Sequence, residues 1–182
     1  MTDLSDISLI TQVTVFHNRQ AFNRLVVKYQ SHIRRFFLNL TLGDAQLSDD
    51  LAQDTFIKAY TNLPRFRGLS GFSTWLFRIA YNVYYDYVRR HRQTDGIDAS
   101  ARVVQEPDRH DTALRMDLYG ALRRLGDKER TCITLQLIDG YSIDKISGIT
   151  GLAQGTVKSH LSRGKEKLAS YLKRNGYDGS KR

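Results

Sequence analysis

The chain has one cysteine, Cys132, and two prolines in 182 residues. A single cysteine excludes an intramolecular disulfide and leaves too few thiolates for a cysteine metal centre. Cys132 falls on the apolar side of a predicted helix, where it reads as a small core residue. The near-absence of proline leaves room for long helices. No apolar run approaches the roughly 18 residues that cross a bilayer. The opening residues, MTDLSDISLI, are acidic and polar and carry no secretory signal pattern. A cytoplasmic protein with no direct membrane insertion is expected. Acidic residues are also scarce, 19 against 28 Lys and Arg, for a net charge of +9. That excess favours a polyanionic partner.

Enzyme signatures are missing as well. There is no phosphate-binding glycine loop, paired-glycine nucleotide fingerprint or metal-ligand spacing. His17, His32, His91, His110 and His160 lie in separate segments, and no nucleophile stands beside a base. The reading is a protein that is not an enzyme, with no cofactor, no metal and no small-molecule substrate.

What is present is organised in blocks. Residues 1–93 hold twelve basic and seven acidic side chains, 94–111 two and five, and 112–182 fourteen and seven. Two basic blocks flank an acidic connector. The expected fold class is all-α, with two small helical domains joined by a flexible linker. The expected boundaries are 1–93, a linker at 94–111, a four-helix domain at 112–175, and a tail at 176–182.

Apolar spacing supports this division. Phe22, Leu25, Val26, Tyr29, Ile33, Phe36, Phe37 and Leu40 mark one helix. Ala52, Phe56, Ala59, Tyr60 and Leu63 mark a second from about Asp49, stopped by Pro64. Trp75, Leu76, Ile79, Ala80, Val83, Tyr84, Tyr87 and Val88 stripe a third from about Ser73, a candidate N-cap, to His91. After the connector, Leu114 to Leu125 and Lys128 to Leu137 read as two further helices.

The most informative stretch is SIDKISGITGLAQGTVKSHLSRGKEKL, residues 142–168. It describes two short helices joined at Gly151, where the turn needs a backbone angle that glycine adopts without a Cβ clash. Val157, Leu161, Gly164 and Leu168 line one face of the second helix. Gly155, Lys158, Ser162 and Lys165 lie opposite, with Ser159 and Arg163 beside them. An apolar back and a basic, hydroxyl-bearing front suit a helix in a DNA major groove. Lys158 and Arg163 can reach phosphates or guanine edges, and Ser159 a base or a phosphate. Gly155 and Thr156 present helix-terminal amides to a phosphate. A solvated basic helix pair would show the same charge pattern, but not the turn glycine and the buried valine with it.

A second candidate lies in RFRGLSGFS, residues 65–73. Two glycines, two serines and two arginines make a loop flanked by aromatics. Such a loop suits the capture of an extruded base. Trp75 reads as core, because it stands one turn before Ile79. Arg78, Arg89, Arg90 and Arg92 make the following helix basic.

These segments resemble the extracytoplasmic-function group of the bacterial sigma-70 family. AFNRLVVKY, DDLAQDTFIKAY and FSTWLFRIAYN resemble sigma region 2, and GYSIDKIS with GTVKSHLSRGKEKL resembles region 4. The likeness covers about 20–92 and 112–172. It departs at Gly164, where the family commonly has alanine between two arginines, and at Ser147, where alanine is usual. The resemblance implies a sigma factor that binds core RNA polymerase and directs initiation through −10 and −35 promoter DNA. It implies −35 contacts from Gly155, Thr156, Lys158, Ser159, Ser162 and Arg163. It implies −10 contacts from Arg65, Phe66, Arg67, Ser70, Phe72, Arg78, Asn82, Arg89 and Arg90. Asp50, Leu51, Gln53, Asp54, Phe56 and Lys58 would dock the polymerase, and an anti-sigma factor would hold the protein inactive. The competing readings are a helix-turn-helix regulator independent of polymerase, a sigma mimic that titrates an inhibitor, and a DNA-processing enzyme. The first has no use for the RFRGLSGFS loop, the second should lack Lys158 and Arg163, and the third needs a catalytic cluster.

Overall fold

The computed structural model describes residues 4–94 and 112–177, and every regular element among them is helical. The expected linker, beyond Thr94, and residues 178–182 lie outside the described residues. The helices are α1 (Leu4–Thr14), α2 (Arg19–Leu40), α3 (Ala45–Asn62), α4 (Phe72–Thr94), α5 (Thr112–Arg123), α6 (Asp127–Ile133), α7 (Ile143–Thr150) and α8 (Gln154–Arg174). A widened turn, Thr134–Ile138, continues α6.

Local chemistry sets the ends. Asn18 caps α2 by accepting the amides of Gln20 and Ala21. Asp44 caps α3 by accepting from Leu47, so this helix starts before the expected Asp49. Pro64 sits in a single 3-10 turn, Leu63–Arg65, that ends α3. α4 begins at Phe72, and the amide of Trp75 bonds the carbonyl of Gly71. Ser73 therefore lies inside the first turn, not at the N-cap. α1 was not legible as a helix. It is fixed to α2 through buried Asp6, which accepts from Lys28 Nζ at 2.7 Å and Tyr29 Oη at 2.6 Å.

The first four helices and the turn after α3 bury Leu25, Ile33, Phe36, Phe37, Leu40, Leu63, Phe72 and Leu76. Full burial of each such side chain contributes about 1.5–3 kcal/mol. The last four bury Leu122, Leu125, Cys132, Ile133, Leu135, Ile146, Ile149, Val157 and Leu161. The two groups also pack on each other, α4 against α7 and α2 against α6. Phe77 meets Tyr141 edge-on at 5.1 Å between centroids. Arg35 pairs with Asp139 at 2.7 Å. Burial pushes the Asp139 carboxyl up, although the Arg35 bond and charge pull it down.

Arg130 is the polar centre of this contact and is only 8% exposed. It donates to the carbonyls of Leu122 at 3.0 Å, Leu125 at 3.0 Å and Leu40 at 3.1 Å. Leu40 closes α2, where a cation complements the helix dipole, and its carbonyl also accepts from Tyr84 Oη. Arg130→Met keeps the apolar stem but strands these carbonyls. It is expected to lower unfolding free energy by about 2–4 kcal/mol, read from urea denaturation.

Candidate nucleic-acid interface

The helix-turn-helix is built as its residue types require. Ser142 caps α7 by accepting from Lys145. Gly151 takes φ 72°, and its amide bonds the carbonyl of Ser147. Ser147 Oγ donates to the Leu152 carbonyl at 2.6 Å and locks the turn. Ser147 thus has a task that the usual alanine could not perform. α8 starts after Ala153 with no side-chain cap. Its first amides, at Gly155 and Thr156, are left for an outside acceptor.

Val157, Leu161 and Gly164 are buried, whereas Gly155, Thr156, Lys158, Ser159, Ser162 and Arg163 are all exposed. The six sequence-selected residues therefore share one open face. Ser159 Oγ donates to the carbonyl of Gly155 at 3.0 Å, which leaves its lone pairs outward. Arg163 approaches Glu129 at 3.7 Å and His160 at 3.2 Å. Burial and the Arg163 charge hold the His160 pKa below its ordinary value, which favours a neutral ring.

Glu129 was not singled out by sequence. It is 8% exposed and accepts from Lys167 Nζ at 2.6 Å and from the Gly126 amide at 3.1 Å. Burial works to raise its carboxyl pKa. The Lys167 and Gly126 hydrogen bonds and the Lys167 and Arg163 charges outweigh it and hold the group below the ordinary value. Its contribution to stability is present above the unfolded carboxylate pKa and is lost as pH falls through the lowered value.

The second face lies on α4 and the loop before it. A cleft of about 390 Å³ is lined by Lys58, Asn62, Arg65, Trp75, Arg78, Ile79 and Asn82. It brings together Arg65, Arg78 and Asn82, three of the residues selected for −10 DNA. Asn62 and Lys58 complete it from α3, a juxtaposition that no local spacing announces. Arg67, Ser70, Arg89 and Arg90 are exposed outside its lining. Arg89 is tied to Asp86 at 2.9 Å, one turn earlier.

Phe72 is corrected by the structure: at 1% exposure it is core and cannot stack on a base. It packs in a ring cluster with Phe66 at 5.8 Å and Trp75 at 5.6 Å. Half-buried Phe66 anchors the loop through the same cluster. Trp75, read as core, is only half-buried and lines the cleft. Leu69, at the loop tip, is 90% exposed, an apolar side chain that the loop reading passed over.

A third face lies on α3. Asp50, Gln53, Asp54 and Lys58 are exposed and Phe56 is half-buried. Leu51, open between docking contact and core, is 3% exposed and belongs to the core. Exposed Ile57 and Tyr60 stand out beside Phe22, Val26 and Phe56 along an apolar cleft of about 390 Å³. An apolar residue off the buried stripe was the available signal for Ile57.

No helix among the described residues is long and apolar enough to cross a membrane. Two family models match the chain. The one for Sigma-70 region 2 covers residues 25–94, and the one for Sigma-70, region 4 covers residues 115–168. The ECF RNA polymerase sigma factor SigW of Bacillus subtilis is 31% identical over 173 residues, 86% of this chain and 91% of the relative. The RNA polymerase sigma-H factor of Pseudomonas aeruginosa is 33% identical over 172 residues, 85% of this chain and 88% of the relative. The sigma factor RpoE of Bartonella quintana, solved in complex with the anti-sigma factor NepR, superposes with a TM-score of 0.73 at 27% identity. That match covers 84% of this chain and 96% of the solved one.

Burial separates structural from surface residues here. Phe72→Ala is expected to cost about 3–5 kcal/mol in urea denaturation. Arg67→Ala should stay within about 0.5 kcal/mol of the parent.

Proposed function

The chain belongs to the extracytoplasmic-function group of the sigma-70 family, and on that premise we propose how its residues divide the work of promoter-specific initiation. It is a sigma factor: a subunit that binds core RNA polymerase, directs it to promoter DNA and is controlled through an anti-sigma factor. The polymerase supplies the chemistry, and this chain supplies selection without catalysis of its own. That work belongs in the cytoplasm. A regulator acting without polymerase is set aside, because such a protein has no use for region 2.

α8 reads the −35 element. Lys158 and Arg163 contact base edges or phosphates, Ser159 and Ser162 accept or donate beside them, and the amides of Gly155 and Thr156 hold a phosphate. The cleft between α3 and α4 receives a −10 base lifted from the stack. Asn62 and Asn82 offer amides to a base edge, Trp75 offers a ring edge, and Arg65 and Arg78 draw in the backbone. Arg67, Arg89 and Arg90 add phosphate contacts. The polymerase docks on α3, where Gln53 borders the apolar cleft of Phe56 and Ile57 and Asp50, Asp54 and Lys58 stand exposed on the same helix. The observation that carries the reading is the coexistence of two separate exposed DNA faces, one per family-matched region.

Geometry imposes one step. The two promoter elements lie about 25 base pairs apart, roughly 85 Å at 3.4 Å per pair. A compact chain of 182 residues has a radius of gyration of about 16 Å. The packed halves therefore part before both elements are held at once. The Arg35–Asp139 pair, the Arg130–Leu40 bond and the packing of α4 on α7, with Phe77 against Tyr141, are what must separate.

Transcription by bacterial core polymerase on a promoter library tests the function directly. The full chain should yield a discrete set of initiated templates, and no initiation on any template would overturn the reading. Within that assay, Lys158→Ala with Arg163→Ala should lower use of the selected −35 sequence 10-fold or more while core binding is retained. Asp50→Lys with Asp54→Lys should have the opposite profile: core retention in a pull-down falls, and the isolated chain still binds duplex DNA.

A further inference from the structure

Glu129 is a buried anion beneath a DNA-reading helix, an unusual place for one. A carboxylate near phosphates costs affinity for every sequence alike. The structure shows how it comes to lie there. A Cβ on Gly164 would meet Ile133 Cγ1 at 2.7 Å, so the glycine lets α8 lie unusually close to α6. Arg163 and Lys167, flanking Gly164 one residue before and three after, then straddle Glu129. Lys167 Nζ is 2.6 Å from one carboxylate oxygen and Arg163 Nε is 3.7 Å from the other. The Gly126 amide fixes the carboxylate from behind.

We propose that Glu129 is a positioning residue for promoter selection: it neutralises Lys167 internally and holds Arg163 by its Nε edge, lowering non-specific affinity for duplex DNA and sharpening discrimination at the −35 element. The inference rests on the −35 reading of α8. Arg163, with Nε 3.7 Å from the carboxylate and Nη2 3.2 Å from His160 Nδ1, is held to fewer rotamers and loses less freedom on binding a base edge. Lys167, with its charge already matched, adds little to the attraction for phosphates. Lys158 forms no ion pair among the described residues and is left to supply the general attraction.

The test uses the full chain, alone on a mixed-sequence duplex and with core polymerase on a library-selected promoter and its −35-scrambled copy. Glu129→Gln should tighten binding to the mixed-sequence duplex about three- to eightfold at 0.1 M salt. The slope of log affinity against log salt should steepen by about one. Discrimination between intact and scrambled promoters should fall by a similar factor, and Glu129→Asp, which keeps the charge, should hold the parental slope. Lys167→Gln alone should change the slope by less than half a unit, and by a full unit in the Glu129→Gln background. Thermal melts of each variant separate these effects from unfolding. A parental slope in a folded Glu129→Gln chain, or a full-unit loss from Lys167→Gln alone, would overturn the proposal. A parent holoenzyme that cannot tell the two promoters apart would instead overturn the −35 reading, while the salt slopes still judge Glu129.

Discussion

α4 is buried from two directions, and that constraint organises the molecule. One side, with Phe72, Leu76, Phe77, Ala80 and Val83, closes the core formed with α2 and α3. Another part of its circumference, around Phe77, packs against Tyr141 and α7. Only a narrow strip remains for solvent, and Arg78, Asn82, Arg89 and Arg90 occupy it. The strip proposed to meet −10 DNA is thus the remainder left after two sets of packing contacts are satisfied. A helix with so little free surface is held firmly, as a base-reading role requires.

The recognition helix solves the opposite problem. α8 is buried along a thin seam of Val157, Leu161 and Gly164, and most of its surface is polar. The residues proposed to face DNA sit on an open side, and the helix is oriented by close contact with α6 and the Ser147-locked turn. Positive charge is not simply left in water: Lys167 and Arg163 are drawn toward Glu129, whereas Lys158 is not. The basic character visible in composition is therefore graded residue by residue once the helices are packed.

The contact between the two groups of helices joins an apolar part, α4 on α7 with Phe77 against Tyr141, to a polar one. Arg130 and Tyr84 both donate to the last carbonyl of α2, and Arg35 meets Asp139. Buried polar pairs specify one geometry while adding modest net stability. An interface made this way can be well defined and still separate when a stronger partner competes.

Much of this was legible in the chain. The periodic apolar stripes located α2–α8, with the start of α3 placed late, because a helix that buries one face must repeat near 3.6 residues. Gly151 marked the turn through its backbone freedom, and Val157, Leu161 and Gly164 marked the buried seam. Helical spacing put the six residues proposed for −35 contact on one exposed face, and the family resemblance supplied their role. α1 escaped notice because it is short and is held by Asp6, a polar residue that no apolar stripe reveals. Tertiary packing decided the rest. Phe72 and Leu51 look like surface candidates in a linear motif, yet three-dimensional neighbours bury them. Asn62 joins Asn82, and Glu129 joins Lys167, only because separate helices meet. Periodicity along a chain fixes which side of a helix is apolar, but which residues share a cleft depends on contacts distant in sequence, and those exist only after folding.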